Sequence, residues 1–174
     1  MRLLILLLFT SSVFASDYDR KHFKYWIDAD RDCQDTRAEL LISSSVNDVE
    51  FKTVKKCLVV NGGWQGLYSG EVFTIAGKLD VDHIVPLKEA WLSGADKWTD
   101  AVREAFANDP DNLIAVKAGE NRSKGARDPA HWLPSDSSYH CIYVAKWLKV
   151  KLKYFLEIDE QEQKAINDVI ATCD

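Results

Sequence analysis

The sequence contains no C-x-x-C pair, no internal repeat and no Pro/Gly/Ser-rich linker. The first absence removes the thiolate spacing of common structural zinc sites. The other two leave no repeat array and no visible divide between domains. Beyond residue 15, no apolar run approaches the roughly 20 residues that a bilayer-spanning helix requires. Positive charge is also scarce: 22 Lys and Arg stand against 27 Asp and Glu, a formal net charge of −5. Proteins that hold DNA by bulk charge are usually basic. Tight sequence-specific binding is therefore disfavoured, and any attraction to nucleic acid must come from a local basic patch. No zinc-finger or helix-turn-helix signature supplies a separate reading module.

What is present begins with an export pattern. Arg2 gives a short basic start, Leu3 to Phe9 is unbroken apolar sequence, and Val13-Phe14-Ala15 offers a cleavage site before Ser16. The apolar run meets Thr10-Ser11-Ser12 and then Asp17, Asp19 and Arg20, which is too short for an anchor. Residues 1–15 are predicted to be a signal peptide, and residues 16–174 one exported domain, periplasmic or secreted, with no membrane attachment once the signal is cleaved. Six tryptophans, seven phenylalanines and six tyrosines can supply its core. The four cysteines, Cys33, Cys57, Cys141 and Cys173, predict two disulfides in an exported chain. Three pairings are possible; Cys33–Cys57 and Cys141–Cys173 link nearer neighbours and pin one end of the domain each.

The patterning is α+β and helix-rich. Thr36 to Leu41 reads as a short helix or strand, Val54 to Val60 as a strand, and Asn61-Gly62-Gly63 as a turn. Trp64 to Glu71 looks irregular, with Tyr68-Ser69-Gly70 turning the chain. Val72 to Ile75 has strand composition. Leu79 to Val85 alternates through Ile84, which predicts a strand with Asp80 and Asp82 on one face, ended by Pro86. A turn or two of helix is expected over Leu87 to Ser93, a helix over Trp98 to Ala107, a strand over Asn112 to Val116, and a short helix over Gly119 to Lys124 ended by Gly125. Tyr143, Trp147, Val150 and Tyr154 form a helical apolar stripe, with Lys146, Lys149 and Lys153 on another face, and Glu160 to Thr172 closes with a helix. Asp28, Asp30, Asp32 and Glu39 fit positions 1, 3, 5 and 12 of a calcium loop, but Cys33 stands where that loop needs glycine. A solvated acidic loop beside a disulfide is the simpler reading.

The chemistry concentrates in Asp82-His83-Ile84-Val85-Pro86, followed by Asn112-Leu113 and Asn121-Arg122-Ser123-Lys124-Gly125. A carboxylate is a hard ligand for a divalent cation, and an imidazole accepts protons near neutral pH. Two carboxamides offer neutral oxygens. These are the parts for metal-assisted hydrolysis of a phosphodiester. In its order, strand with Asp-His, strand opened by Asn, helix carrying Asn, the chain resembles the HNH endonuclease superfamily of ββα-metal nucleases. Within it, the chain is most similar to secreted HNH nucleases related to the C-terminal domain of modification-dependent restriction enzymes. Ala90-Trp91, Ser93-Gly94-Ala95, Trp98, Phe106 to Asp109, Ala115-Val116, Asp128-Pro129, Trp132 and Pro134 carry that closer match. It extends more weakly over Asp32 to Arg37 and Trp147 to Tyr154.

The resemblance implies a ββα-metal core over about 79–127. In it Asp82 and Asn121 would hold one divalent ion, Mg²⁺ first and Mn²⁺ second. His83 would be the general base, and Asn112 would orient the histidine loop without ligating. Arg122, Lys124, Lys117 and Arg127 are expected at the phosphates; Lys88 is a lesser candidate there, and Glu89, close in sequence to the strand end, is a minor candidate near the metal site and takes no assigned role. His131 stands where such relatives would carry an acidic residue and takes no role; His22 and His140 are assigned to structure or surface. The segment between the two strands is longer than in the compact motif, and the disulfides replace the structural zinc of some relatives. The implied function is a metal-dependent endonuclease on DNA, with RNA as a second substrate and little sequence preference. A non-catalytic binding module on the same scaffold and a small-nucleotide phosphodiesterase are the rivals. No protein partner is inferred.

Overall fold

The site is carried by a short antiparallel ribbon whose two faces are both covered. The structure, a computed structural model, describes residues 17–173, so the expected signal at residues 1–15 lies outside the described residues. In chain order come α1 (Thr36–Ser44), β1 (Glu50–Phe51), β2 (Val59–Gly66), β3 (Glu71–Ile75), β4 (Leu79–His83), α2 (Leu87–Leu92), α3 (Asp100–Ala107), β5 (Leu113–Lys117), α4 (Ala118–Lys124), α5 (His140–Lys153) and α6 (Glu160–Ile170). This is the expected α+β arrangement of one domain, with six α-helices among the described residues. No helix among those residues is long and apolar enough to cross a membrane.

β4 and β5 pair antiparallel in the register Leu79↔Lys117, Val81↔Ala115, His83↔Leu113. Side chains alternate across a strand. One face, with Leu79, Val81, Leu113 and Ala115, packs on Trp64, Leu41 and Val59, under the three-stranded sheet β1-β2-β3 and α1. Ile114 and Val116 join the larger core of Trp147, Tyr143, Phe106 and Ile166. Asp80 and Asp82 share that second face, where α4 lies on both strands. Between the strands the chain inserts α2 and α3, which explains the long gap in the motif.

Helix limits follow local chemistry. Asp35 caps α1 by accepting from Ala38 N, Thr99 caps α3 by accepting from Val102 N, and Asp159 caps α6 through Gln161 and Glu162. The α3 helix therefore starts at Asp100, leaving Trp98 outside. Pro86 precedes the first turn of α2. At φ +60, Gly125 ends α4, with its N–H donated to Asn121 O.

Three expectations are corrected, the first being the irregular stretch from Trp64, whose first residues, Trp64 to Gly66, pair with β3 as the end of β2. The strand predicted over Val54 to Val60 begins only at Val59; Val54 is 98% exposed in the turn between β1 and β2. The predicted Asn61-Gly62-Gly63 turn lies inside β2, where the register against β3 steps from Asn61↔Ile75 to Trp64↔Phe73, a bulge. Those glycines serve close approach. A Cβ on Gly62 would sit 2.6 Å from the Trp64 ring, and one on Gly63 2.6 Å from Asn47 Nδ2.

Both expected disulfides are found, Cys33–Cys57 with Cα atoms 5.1 Å apart and Cys141–Cys173 at 5.9 Å. The first ties residues before α1 to the β1–β2 loop; the second ties the start of α5 to the end of α6. Between α2, α5 and α6, the fully buried Lys151 donates to Glu89 Oε1 at 2.7 Å, Glu162 Oε2 at 3.2 Å and Glu157 O at 2.8 Å. The segment before α1 is held by Asn108. Its Oδ1 accepts from Ile27 N and Thr36 Oγ1, and its Nδ2 donates to Lys24 O and Glu104 O.

Asn108→Ala removes every one of those bonds, and its expected cost is about 2 kcal/mol of stability, read from urea unfolding midpoints. Proteolysis within residues 20–36 should quicken at the same time. A midpoint unchanged from the parent protein would show that the segment is held by other contacts.

Candidate active site

His83 ends β4 and is buried. Its Nε2 lies 2.8 Å from Ala107 O at the end of α3. A carbonyl only accepts, so Nε2 carries the hydrogen and the neutral ring keeps its lone pair on Nδ1. Trp26 stacks on the ring at 5.6 Å, with 22° between planes. Burial lowers the His83 pKa to about 4, aided by the Lys124 and Arg20 charges and opposed by the Ala107 hydrogen bond. The ring is therefore neutral at pH 7.

The chain just past His83 is clamped by Asn112, whose side chain is fully buried. Asn112 Oδ1 accepts from Val85 N at 2.8 Å, Nδ2 donates to Val85 O at 3.2 Å, and the Asn112 carbonyl accepts from Ile84 N at 2.8 Å. Both ends of the carboxamide are used on the backbone of Val85, which pins the bend from β4 into Pro86.

Asp82 faces the other way. Tyr68 Oη donates to Asp82 Oδ2 at 2.9 Å, and Lys124 Nζ donates to the same oxygen at 2.7 Å. Lys124 also donates to His83 O at 2.7 Å. Among the described residues no side chain hydrogen-bonds Asp82 Oδ1. Burial pushes the Asp82 carboxyl up from its ordinary value and pulls the Lys124 ammonium down, and each charge opposes the other's shift. Two donors on one oxygen suit an ionised carboxylate. Burial and Asp82 raise the Tyr68 phenol well above its usual range, so it stays a donor. From α4, Asn121 Nδ2 donates to Asp80 Oδ2 at 3.0 Å. A carboxylate accepts, so this bond fixes which end of the amide is nitrogen and leaves Asn121 Oδ1 for another partner.

These groups meet at one cavity of about 380 Å³, bordered by Asp82, His83 and Asn121 together with Tyr18, Arg20 and Lys88. Val81, Asp82 and His83 border it in succession, so it runs along the edge of β4 and both strand faces reach it. Two oxygens without side-chain partners, one anionic and one neutral, suit a hard divalent cation and leave positions for water and phosphate.

The other expected residues are spread around this cavity. Lys124 is not on the surface: its ammonium is wholly buried against Asp82, so the expected phosphate contact is corrected to a partner of the carboxylate. Lys117 pairs with Glu71 at 2.5 Å. Arg122 is exposed on α4, and Arg127 is exposed with its guanidinium on the Ser123 and Lys124 carbonyls. Glu89, the minor candidate near the metal site, does not border the cavity and pairs with Lys151 instead. His131 pairs with Asp128 at 2.9 Å, His22 stacks on Trp91, and His140 Nε2 donates to Pro134 O. Asp28, Asp30 and Asp32 do converge, but they are exposed, and their carboxylates already accept from the N–H groups of Cys33, Asp32 and Gln34.

Sequence reasoning missed Tyr18, Arg20, Trp26, Tyr68 and Asp80. For Asp80 the signal was there, since strand alternation places it beside Asp82. For the others no local pattern exists: Tyr18 and Arg20 reach the cavity, and Trp26 reaches His83, from the segment before α1, while Tyr68 reaches Asp82 from the β2–β3 turn.

Residues 16–169 match the family model described as GmrSD restriction endonucleases, C-terminal domain. An "Uncharacterized secreted protein" of Arthroderma benhamiae is 38% identical over 158 residues, covering 90% of this chain and 76% of the relative. No solved structure matches the chain. Over nearly its whole described length, cavity included, the chain belongs to the family of GmrSD restriction endonuclease C-terminal domains.

Proposed function

We propose that the protein is a secreted or periplasmic endonuclease that hydrolyses phosphodiester bonds of DNA, and of RNA as a second substrate, with a divalent metal ion. The observation that carries the reading is the convergence of Asp82, His83 and Asn121 on one cavity. The metal, Mg²⁺ first and Mn²⁺ second, would be held by Asp82 Oδ1 and Asn121 Oδ1 and would stabilise charge on the phosphate and leaving oxygen. The family to which the chain belongs supports nuclease chemistry. Export is supported by the two disulfides and by a relative whose name includes the word secreted.

In this reading His83 Nδ1 takes the proton from the attacking water. The ring is neutral before reaction, and its Nε2–H on Ala107 O holds the tautomer that leaves Nδ1 basic. Asn112 acts as a positioning residue by fixing the backbone just past the histidine. Arg20 and Lys88, which border the cavity, bind the phosphate oxygens, and Arg122 and Arg127 contact phosphates further along the strand. An acidic protein with a few cations gathered at its site suits turnover better than tight retention, because phosphate contacts set the affinity.

With plasmid substrate, nicking is expected in Mg²⁺ or Mn²⁺ and should stop with EDTA. His83→Ala should lower the rate by about 10²–10⁴-fold. Equal cleavage by the variant would reject His83 as base, and no cleavage with any divalent ion would favour a binding module.

Asn112→Ala strands two buried backbone groups, so a stability loss of about 2 kcal/mol is expected. At a temperature where the variant stays folded, its nicking rate should fall about 10²-fold through misplacement of the imidazole. Wild-type turnover in a destabilised variant would separate the clamp from catalysis.

A further inference from the structure

Nothing in the proposed hydrolysis uses the Lys124 ammonium directly. Yet it is fully buried, and its nitrogen lies 2.7 Å from the very carboxylate proposed to hold the metal. Charge on the cavity is unusual for a cation site. Arg20 and Lys88 border it with one carboxylate, Asp82, and next to them lie Lys124, bonded to Asp82, and Asp80, bonded to Asn121. Of those carboxylates, Asp80 is committed to the Asn121 amide and Asp82 already carries Lys124. Glu89, close in sequence, is neutralised by Lys151.

We propose that Lys124 makes cation binding depend on the phosphodiester: it offsets the charge of Asp82, so a divalent ion enters weakly alone and firmly only with substrate phosphate. The inference rests on the metal-dependent reading above and deepens it by naming how the two ligands are coupled. Like charges across a dry interior repel more strongly than in water. A bare divalent ion at Asp82 would share that carboxylate with the Lys124 ammonium, which lies 2.7 Å from Oδ2. A phosphodiester brings the missing negative charge and further oxygens to the same cation, while Arg20 and Lys88 hold it. By linkage, the substrate must tighten the cation and the cation the substrate by the same factor. Tyr68 keeps Asp82 oriented independently of Lys124, because it donates to the same oxygen from the β2–β3 turn. The two functions of the lysine, holding and charge, are therefore separable.

The test measures Mn²⁺ affinity by electron paramagnetic resonance of the free ion, in the His83→Ala background so that DNA survives. A short duplex oligonucleotide is present or absent, and a DNA-only control is subtracted. In the parent background DNA should tighten Mn²⁺ binding by about tenfold or more, within the usual range of coupling between sites. Lys124→Met should bind Mn²⁺ about tenfold more tightly without DNA and gain little when DNA is added. A purely structural lysine predicts the reverse, since a loosened carboxylate would bind the ion less well. Equal or weaker Mn²⁺ binding by Lys124→Met overturns the proposal. If that variant does not fold, the parent arm decides, because Mn²⁺ affinity indifferent to DNA also overturns it. Asp82→Asn separates this failure from failure of the metal reading. Lost Mn²⁺ binding in Asp82→Asn alongside an unshifted Lys124→Met rejects the coupling alone, whereas retained binding in Asp82→Asn rejects the site and the coupling together.

Discussion

A carboxylate taken out of water must find donors, and the architecture around β4 answers that demand of Asp82. Leaving such a group unpaired costs roughly several kcal/mol even after relaxation. Its partners come from distant parts of the chain: Tyr68 from the β2–β3 turn and Lys124 from α4. Satisfying one oxygen therefore draws the three-stranded sheet and the ββα unit onto each other. The same bonds leave the second oxygen without a side-chain donor among the described residues, on a residue that borders the cavity. Asn121 follows the same rule, its nitrogen held by Asp80 and its oxygen left over.

His83 is arranged by a different set of constraints. Strand alternation sends it to the face opposite Asp82, into contact with Trp26. Its Nε2 is taken by the last turn of α3, and its following backbone by Asn112. The long insertion between β4 and β5 thus supplies the acceptor that sets the imidazole tautomer. The segment before α1 supplies Trp26, Tyr18 and Arg20, and Asn108 fastens that segment to the end of α3. Parts of the chain that look peripheral to an HNH motif are what enclose it.

Net charge and local charge point in opposite directions here. The chain is acidic overall, yet the cavity is bordered by Arg20 and Lys88, and the buried Lys124 pairs with the Asp82 carboxylate that borders it. Other basic residues are spent on structure: Lys151 holds α2, α5 and α6 together, and Lys117 is paired with Glu71. Counting lysines therefore says little about where an anion would bind; burial and partners decide it.

Residue order and spacing made legible the α+β class, the strands that became β4 and β5 and the short helix α4 after them; they narrowed the four cysteines to three pairings without choosing among them, and the expectation that Asp82, His83, Asn112 and Asn121 act together came from the resemblance to HNH nucleases. The elements follow from short-range physics: alternation along a strand, capping residues and the glycine after α4. What needed the tertiary structure was every contact made across the chain. Whether Lys124 meets solvent or Asp82, whether Glu89 faces the cavity or Lys151, and whether Gly62 and Gly63 turn the chain or admit the Trp64 ring into a bulge depend on which elements pack together. A lysine or a glycine has the same local signal in either setting. Only the burial of its neighbours, and the partners that burial then requires, distinguishes the two.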